Sequence, residues 1–309
     1  MTGRARAATV LDVNLGYRGP LDHQALLRTI AAHAVGGLEE CDLPSARHRK
    51  VIPATHGDAV VELEHHARTG SIAARLHLAD ESDADEVVGA VRRWLDLDTD
   101  TTTVDAALAG DPLLGPLVTR RPGLRVLGST DPFETAVMTV VGQQVSLAAA
   151  RTFGSRLVAA FGTPLGAGLV AFPGAEVLAT TDPAVLRAAV GLTTTRAATV
   201  CRLAAIVASG LALDHRTPRA EVEASLLAVP GIGRWTVDYL TVRASGDRDA
   251  FAPGDLVLRR ALGVRTAREA AAIAEAWRPW RTYALMHLWT HAAYDPSPVV
   301  TGCGGPPAG

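Results

Sequence analysis

The pentapeptide Val229-Pro230-Gly231-Ile232-Gly233 cannot lie inside a helix, yet helical pattern runs up to it from both sides. Upstream, Val222, Leu226 and Leu227 recur at helical spacing, and downstream Trp235, Tyr239 and Val242 do the same. Pro230 has no backbone N–H to donate, and Gly231 and Gly233 can take φ > 0, so the chain must turn sharply here. The expected unit is two short helices joined by a tight hairpin. Gly231 and Gly233 then head the second helix, where free N–H groups and the helix dipole favour an anion such as a nucleic-acid phosphate. Further on, Phe251-Ala252-Pro253-Gly254-Asp255 places an acid at the expected start of the next helix.

Charge is informative only by its distribution. The net charge of −2 argues against a nucleic-acid partner, but residues 1–130 carry 14 basic and 18 acidic groups, whereas residues 131–309 carry 16 and 14. The second part is therefore the better candidate for DNA contact. The three cysteines, Cys41, Cys201 and Cys303, are far apart and make neither a zinc nor an iron–sulfur motif. No disulfide framework is implied, no apolar signal core opens the chain, and no stretch approaches the roughly 20 apolar residues of a membrane span. A cytoplasmic protein, nucleoid-associated in a bacterium, is expected.

Along the chain, residues 1–20 show little pattern, and Leu21–Val35 reads as a helix. Val60–Glu64 and Ile72–Leu78 alternate as half-buried strands, with a turn expected at Arg68-Thr69-Gly70-Ser71. Asp83 with Glu86 resembles a capping box before a further helix. His65, His66 and His77 match no metal-ligand spacing and read as solvated strand or turn residues. After Arg121-Pro122-Gly123-Leu124-Arg125 the pattern becomes helical. Starts are expected at Asp131-Pro132, Asp182-Pro183, Thr217-Pro218 and Thr266-x-x-Glu269, giving six or seven helices of 8 to 18 residues with no strand between them. The fold class is α+β in two domains: mixed α and β over 1–128, helical over 129–295, and a disordered Gly/Pro-rich tail over 296–309.

Several motifs, in order, resemble the bacterial 3-methyladenine DNA glycosylase II (AlkA) family of the helix-hairpin-helix glycosylase superfamily. They are Val91–Asp98, Arg121–Arg125, the run Asp131–Ser146 ending in GQQVS, Gly231–Thr236, the FAPGD loop and Trp277–Leu285. The resemblance spans about Leu21 to Tyr294. It implies a TATA-binding-protein-like N-terminal domain followed by an all-helical glycosylase domain. The implied activity is hydrolytic removal of alkylated bases, such as 3-methyladenine and 7-methylguanine, from duplex DNA in base excision repair. An abasic site is left, and the enzyme is expected to act as a monomer.

Cutting an N-glycosidic bond needs a carboxylate beside a sugar that develops oxocarbenium character. Asp255 matches the family's catalytic aspartate; N-capping of the following helix is its structural alternative, and Asp238 is the rival acid. The resemblance makes Trp235, Tyr239 and Trp289 the walls of a pocket for cationic bases, against ordinary core packing. Trp277, Trp280 and Tyr283 read as packing and support. Hairpin contact with the DNA backbone falls to Gly231 and Gly233, with Arg234 and Arg243 either adding phosphate contacts or standing as solvated helix-face arginines. Base extrusion falls to the loop holding Gln143 and Gln144, where Gln144 replaces the family's wedge leucine; helix-terminal capping is the alternative for both glutamines. The carbonyls of Leu227, Val229 and Ile232 match those that hold a monovalent Na+ or K+ in relatives; no other cofactor is implied. Relatives that nick the strand use a lysine just after the hairpin glycines, whereas Arg234-Trp235-Thr236 stands here and the only lysine, Lys50, lies in the N-terminal part. A monofunctional enzyme is expected. Two alternatives stay open: a hairpin glycosylase for deaminated or oxidised bases, and a non-catalytic DNA-binding protein that kept the hairpin.

Overall fold

The computed structural model describes residues 9–66, 70–166, 168–214 and 216–294. The tail at 296–309, Cys303, and Arg68 and Thr69 of the expected turn lie outside them. Five strands, β1 (Thr9–Gly16), β2 (Glu39–Asp42), β3 (Arg47–Ile52), β4 (Ala59–His66) and β5 (Ser71–Leu78), make one antiparallel sheet ordered β1-β5-β4-β3-β2. Two of these strands answer the alternation read at 60–64 and 72–78; the other three, β1 included, carried no expectation. Period-two geometry sends Ile72, Ala74, Leu76 and Leu78 to one face, where they are buried under helices α1 (His23–His33) and α2 (Ala84–Trp94). The other face carries a ladder across all five strands, Asp12–Arg75–Glu62–Arg49–Glu40, each residue opposite the next.

Two local expectations fail here. Asp83 does not cap α2; its carboxylate takes the His56 backbone N–H and Nδ1, and Glu86 is occupied by Thr55. His65 is not solvated. It is buried edge-on against His23, and burial pushes its imidazole down to about 3. Among the described residues no group of histidine, cysteine and carboxylate side chains could hold a metal.

Among the described residues ten helices follow residue 131: α5 (Pro132–Val141), α6 (Leu147–Phe161), α7 (Ala175–Thr180), α8 (Pro183–Val190), α9 (Thr194–Ala208), α10 (Arg219–Leu227), α11 (Arg234–Ala244), α12 (Leu256–Ala261), α13 (Ala267–Ala274) and α14 (Arg281–Tyr294). That exceeds the six or seven expected. The domain is also not all-helical: β6 (Thr163–Gly166) and β7 (Leu169–Ala171) pair as a short hairpin, and Val170 N–H is bound by the Gly37 carbonyl of the N-terminal part. Three of the four expected starts are capped as read: Asp131, Asp182 and Thr266 accept N–H groups of the first turns of α5, α8 and α13, and Glu269 completes a capping box. The fourth is not, because α10 begins one residue later, with Pro218 as its N-cap and no side chain capping it.

Helices α3 (Thr101–Leu108) and α4 (Gly115–Arg120) precede residue 128 but pack with α12, α13 and α14 in one apolar core. Trp277 and Tyr283 are buried there, with Trp277 Nε1 donating to Asp111 and Tyr283 OH to Asp96. A second seam joins Val35, Leu38 and Val51 to Val158, Leu169 and Ala171. Arg125 fastens the same region, its guanidinium donating to the carbonyls of Arg18, Pro20, Asp96 and Thr99. No single described helix is long and apolar enough to cross a membrane.

Candidate active site

The hairpin joins α10 to α11, and its two glycines serve different ends. Gly231 has φ +97°, and a Cβ there would lie 2.2 Å from Thr199 Oγ1. Gly233, contrary to the expectation of positive φ, is extended at −105° and N-caps α11. Nothing lies within 4 Å of the Cβ it lacks, so its value is open room before a helix N-terminus. Thr199 and Gln143 brace the turn by donating to the carbonyls of Pro230 and Gly231. Among the described residues no backbone N–H is bonded to the carbonyls of Leu227 or Ile232, and that of Val229 takes only the Ile232 N–H. Carbonyl oxygens left with lone pairs fit a hard monovalent cation.

Arg234 is committed elsewhere. It reaches back to Asp238 at 2.7 Å and to Glu223 at 3.2 Å, while its side chain stays 59% exposed. Asp238 is buried under that guanidinium; burial raises its carboxyl and Arg234 opposes the rise. The rival acid is thus a partner of Arg234.

Asp255 does cap α12, with Oδ1 accepting the Leu258 N–H at 2.8 Å. Two indoles hold it as well: Trp235 Nε1 donates to Oδ2 and Trp289 Nε1 to Oδ1, both at 3.0 Å. Three donors from three elements fix the carboxylate while leaving it at 7% exposure. A carboxylate offers about four lone-pair sites, so one remains for an outside group. The indoles that hold the acid also belong to an aromatic cluster. Trp235 stacks on Tyr239 at 5.5 Å and 26°, and Tyr239 meets Trp289 at 5.8 Å and 40°. Packing and pocket wall are both served, since all three rings stay part-exposed.

Trp235 and Tyr239 line a cavity of about 450 Å³ between the N-terminal sheet and the helices. Its opposite wall was not legible as site: His33, Glu39, Lys50, Glu134 and Met138 all face it. Lys50, remote in sequence, stands on the same cavity as Trp235. Its ammonium is 5% exposed and paired with Glu134 at 3.0 Å and Glu39 at 3.5 Å, which hold it protonated. Arg243 does not point to the phosphate face; its guanidinium lies 5.9 Å over the Tyr239 ring, at the cavity. The two loop glutamines part company. Gln143 is tied to Gly231 and Thr236 and anchors the loop, whereas Gln144 stands exposed at φ +56° beside it.

Comparison with known proteins places this geometry. Residues 12–131 match the AlkA N-terminal domain, and residues 137–279 match the HhH-GPD superfamily base excision DNA repair protein. The chain is 37% identical over 295 residues to the Mycobacterium tuberculosis probable bifunctional transcriptional activator/DNA repair enzyme AlkA, covering 93% of this chain but 58% of that protein. It is 31% identical over 293 residues to the Escherichia coli DNA-3-methyladenine glycosylase 2, covering 91% of this chain and 98% of that protein. In fold it is similar to a 3-methyladenine DNA-glycosylase structure from Archaeoglobus fulgidus, with TM-score 0.78, 19% identity and coverage of 92% and 98%. The chain belongs to the AlkA family of HhH-GPD DNA glycosylases.

Proposed function

We propose that this chain is a monofunctional glycosylase that binds duplex DNA as a monomer, extrudes alkylated purines of the 3-methyladenine and 7-methylguanine class, and hydrolyses their glycosidic bonds. The observation that carries the reading is Asp255, held by two indole N–H groups whose rings join the aromatic cluster bordering the cavity. A cationic base needs no protonation to leave, and aromatic faces attract it. Asp255 stabilises the oxocarbenium character at C1′ and orients the attacking water through its remaining lone pair. The open N-terminus of α11 at Gly233 takes a backbone phosphate, and Gln144 fills the space the base vacates. The Escherichia coli and Bacillus subtilis relatives, named as DNA-3-methyladenine glycosylases, support the substrate class.

The carbonyls of Leu227, Val229 and Ile232 would hold a monovalent cation that screens that phosphate; the chemistry at the base does not depend on it. Lys50 does not supply a nucleophile, because Schiff-base attack needs a neutral amine and its two carboxylate partners keep the ammonium charged.

The test is release of methylated bases from alkylated duplex DNA. Asp255→Asn should keep DNA affinity and lose about three orders of magnitude or more in release rate. Asparagine caps helices as well as aspartate does, so the loss should appear without a matching fall in stability. Near-normal release by that variant sinks the reading, as does borohydride trapping of the wild-type protein on DNA.

A further inference from the structure

The cavity wall opposite Trp235 and Tyr239 carries a buried chain of ionisable groups. His48 Nε2 meets Glu39 Oε2 at 2.9 Å, Lys50 Nζ meets Glu39 Oε1 at 3.5 Å, and Lys50 Nζ donates to Glu134 Oε1 at 3.0 Å. Buried charge is costly unless every lone pair is matched. Glu39 has both oxygens engaged, Oε1 also taking the Val35 N–H. Glu134 does not: among the described residues Lys50 is its only partner, through Oε1. Its side chain keeps 13% of its surface open, and it lines the cavity from the first turn of α5.

Resting on the proposed function, with the extruded base entering the cavity that Trp235 and Tyr239 border, we infer that Glu134, on the same cavity, determines specificity for cationic purines. Its Oε2 accepts a hydrogen bond from the exocyclic amino group of the base, and its charge balances the positive charge of the alkylated ring. A base without amino group or charge gains nothing from it.

The surroundings bear on the charge state. Facing Glu134 are Lys50 of β3, Glu39 of β2 backed by His48, and Asp131 at the head of its own helix; His33, Arg151 and Arg243 line the same cavity from α1, α6 and α11. Burial pushes the Glu134 carboxyl up to about 7; Lys50 opposes, and Glu39 and Asp131 add to the rise. Glu39 goes the other way: burial is outweighed by Lys50 and His48, which hold it at about 2. Burial lowers His33. Glu134 is therefore the cavity group that changes charge near neutrality, and a cationic base draws it into the ionised form.

The experiment is the pH profile of kcat/KM for 3-methyladenine release between pH 5.5 and 8.5. The wild type should rise through a limb in the neutral range. Glu134→Gln, which keeps an acceptor for Lys50, should lack the limb and fall about tenfold or more at pH 8. His33→Gln should keep it. If Glu134→Gln does not unfold cooperatively, Glu134→Asp should retain the limb at a lower rate. A wild-type profile without the limb, a limb that survives Glu134→Gln, or a loss equal at every pH overturns the inference. A wild type that releases no methylated purine overturns the proposed function along with it.

Discussion

Gly231 and Gly233 look interchangeable in the hairpin and are not. An alanine at 231 would have to hold φ +97° and would drive its Cβ into Thr199 Oγ1, the hydroxyl that braces the Pro230 carbonyl. The backbone strain costs about 1–3 kcal/mol and the displaced hydrogen bond about 1 kcal/mol more. Gly231→Ala should therefore lower unfolding stability by about 2–4 kcal/mol in urea titration. Gly233→Ala meets no steric barrier and has an ordinary backbone angle, so the poorer N-cap should cost only about 0.5–1 kcal/mol. If Gly233 provides room for phosphate, that variant should instead lose DNA affinity. Equal stability losses in the two variants would contradict the division of labour. At Asp255 the local pattern allowed N-capping to coexist with the proposed catalytic role, and one carboxylate does cap α12 with Oδ1 while accepting indole N–H groups through both oxygens.

At the scale of elements, the loop between α5 and α6 divides anchoring from reach. Gln143 is bound to the hairpin through Gly231 and Thr236, so its side chain is not available to enter DNA. Gln144 is exposed with a left-handed backbone that aims it off the loop. Gln144→Ala should cut base release from fully paired duplex about tenfold, because unstacking a paired base costs a few kcal/mol that the side chain helps to offset. Release from a lesion in a mismatched bubble should change little, and an equal loss on both substrates would exclude a wedge. Legibility varied among the elements for physical reasons. β4 and β5 show clean alternation because one face is apolar and the other wet. β3 hid its pattern because its buried face carries His48 and Lys50, the members of an ion network rather than apolar residues. β1 was obscured by Val10, half exposed on the outer face of an edge strand. The β6–β7 hairpin has no propensity of its own, with Pro164 and Gly166 in four residues. It forms where the Gly37 carbonyl accepts Val170 N–H. Trp235, Tyr239 and Asp255 lie within one stretch of sequence and were readable there, whereas Trp289, in α14, was reached only through the family resemblance. Glu134, Glu39 and Lys50 come together only when the sheet docks on α5.

For the whole molecule, the domain boundary read near residue 128 meets a core that crosses it. Val104, Leu108, Leu114, Leu117, Val118 and Leu124 are each 6% exposed or less, and they belong to the same apolar cluster as Leu258, Trp277, Leu285 and Leu288 of the C-terminal helices. Removing residues 1–128 strips that cluster of these six large buried side chains and of Ala25. At about 1.5–3 kcal/mol each, the loss is on the order of 10 kcal/mol, comparable with the whole stability of a typical domain. The cut also exposes Val158, Leu169 and Ala171 where Val35, Leu38 and Val51 now cover them, and it removes Lys50 from beside Glu134. A fragment of residues 129–294 should therefore show no cooperative calorimetric transition and should bind a hydrophobic dye, whereas a fragment of residues 9–294 should unfold in one transition. A 129–294 fragment that melts cooperatively within a few degrees of the longer chain would mean that the N-terminal layer is an accessory. Failure of the short fragment would mean that the layer that supplies Lys50 and Glu39 to the cavity is also part of what holds α12 and α14, and hence Asp255 and Trp289, in place.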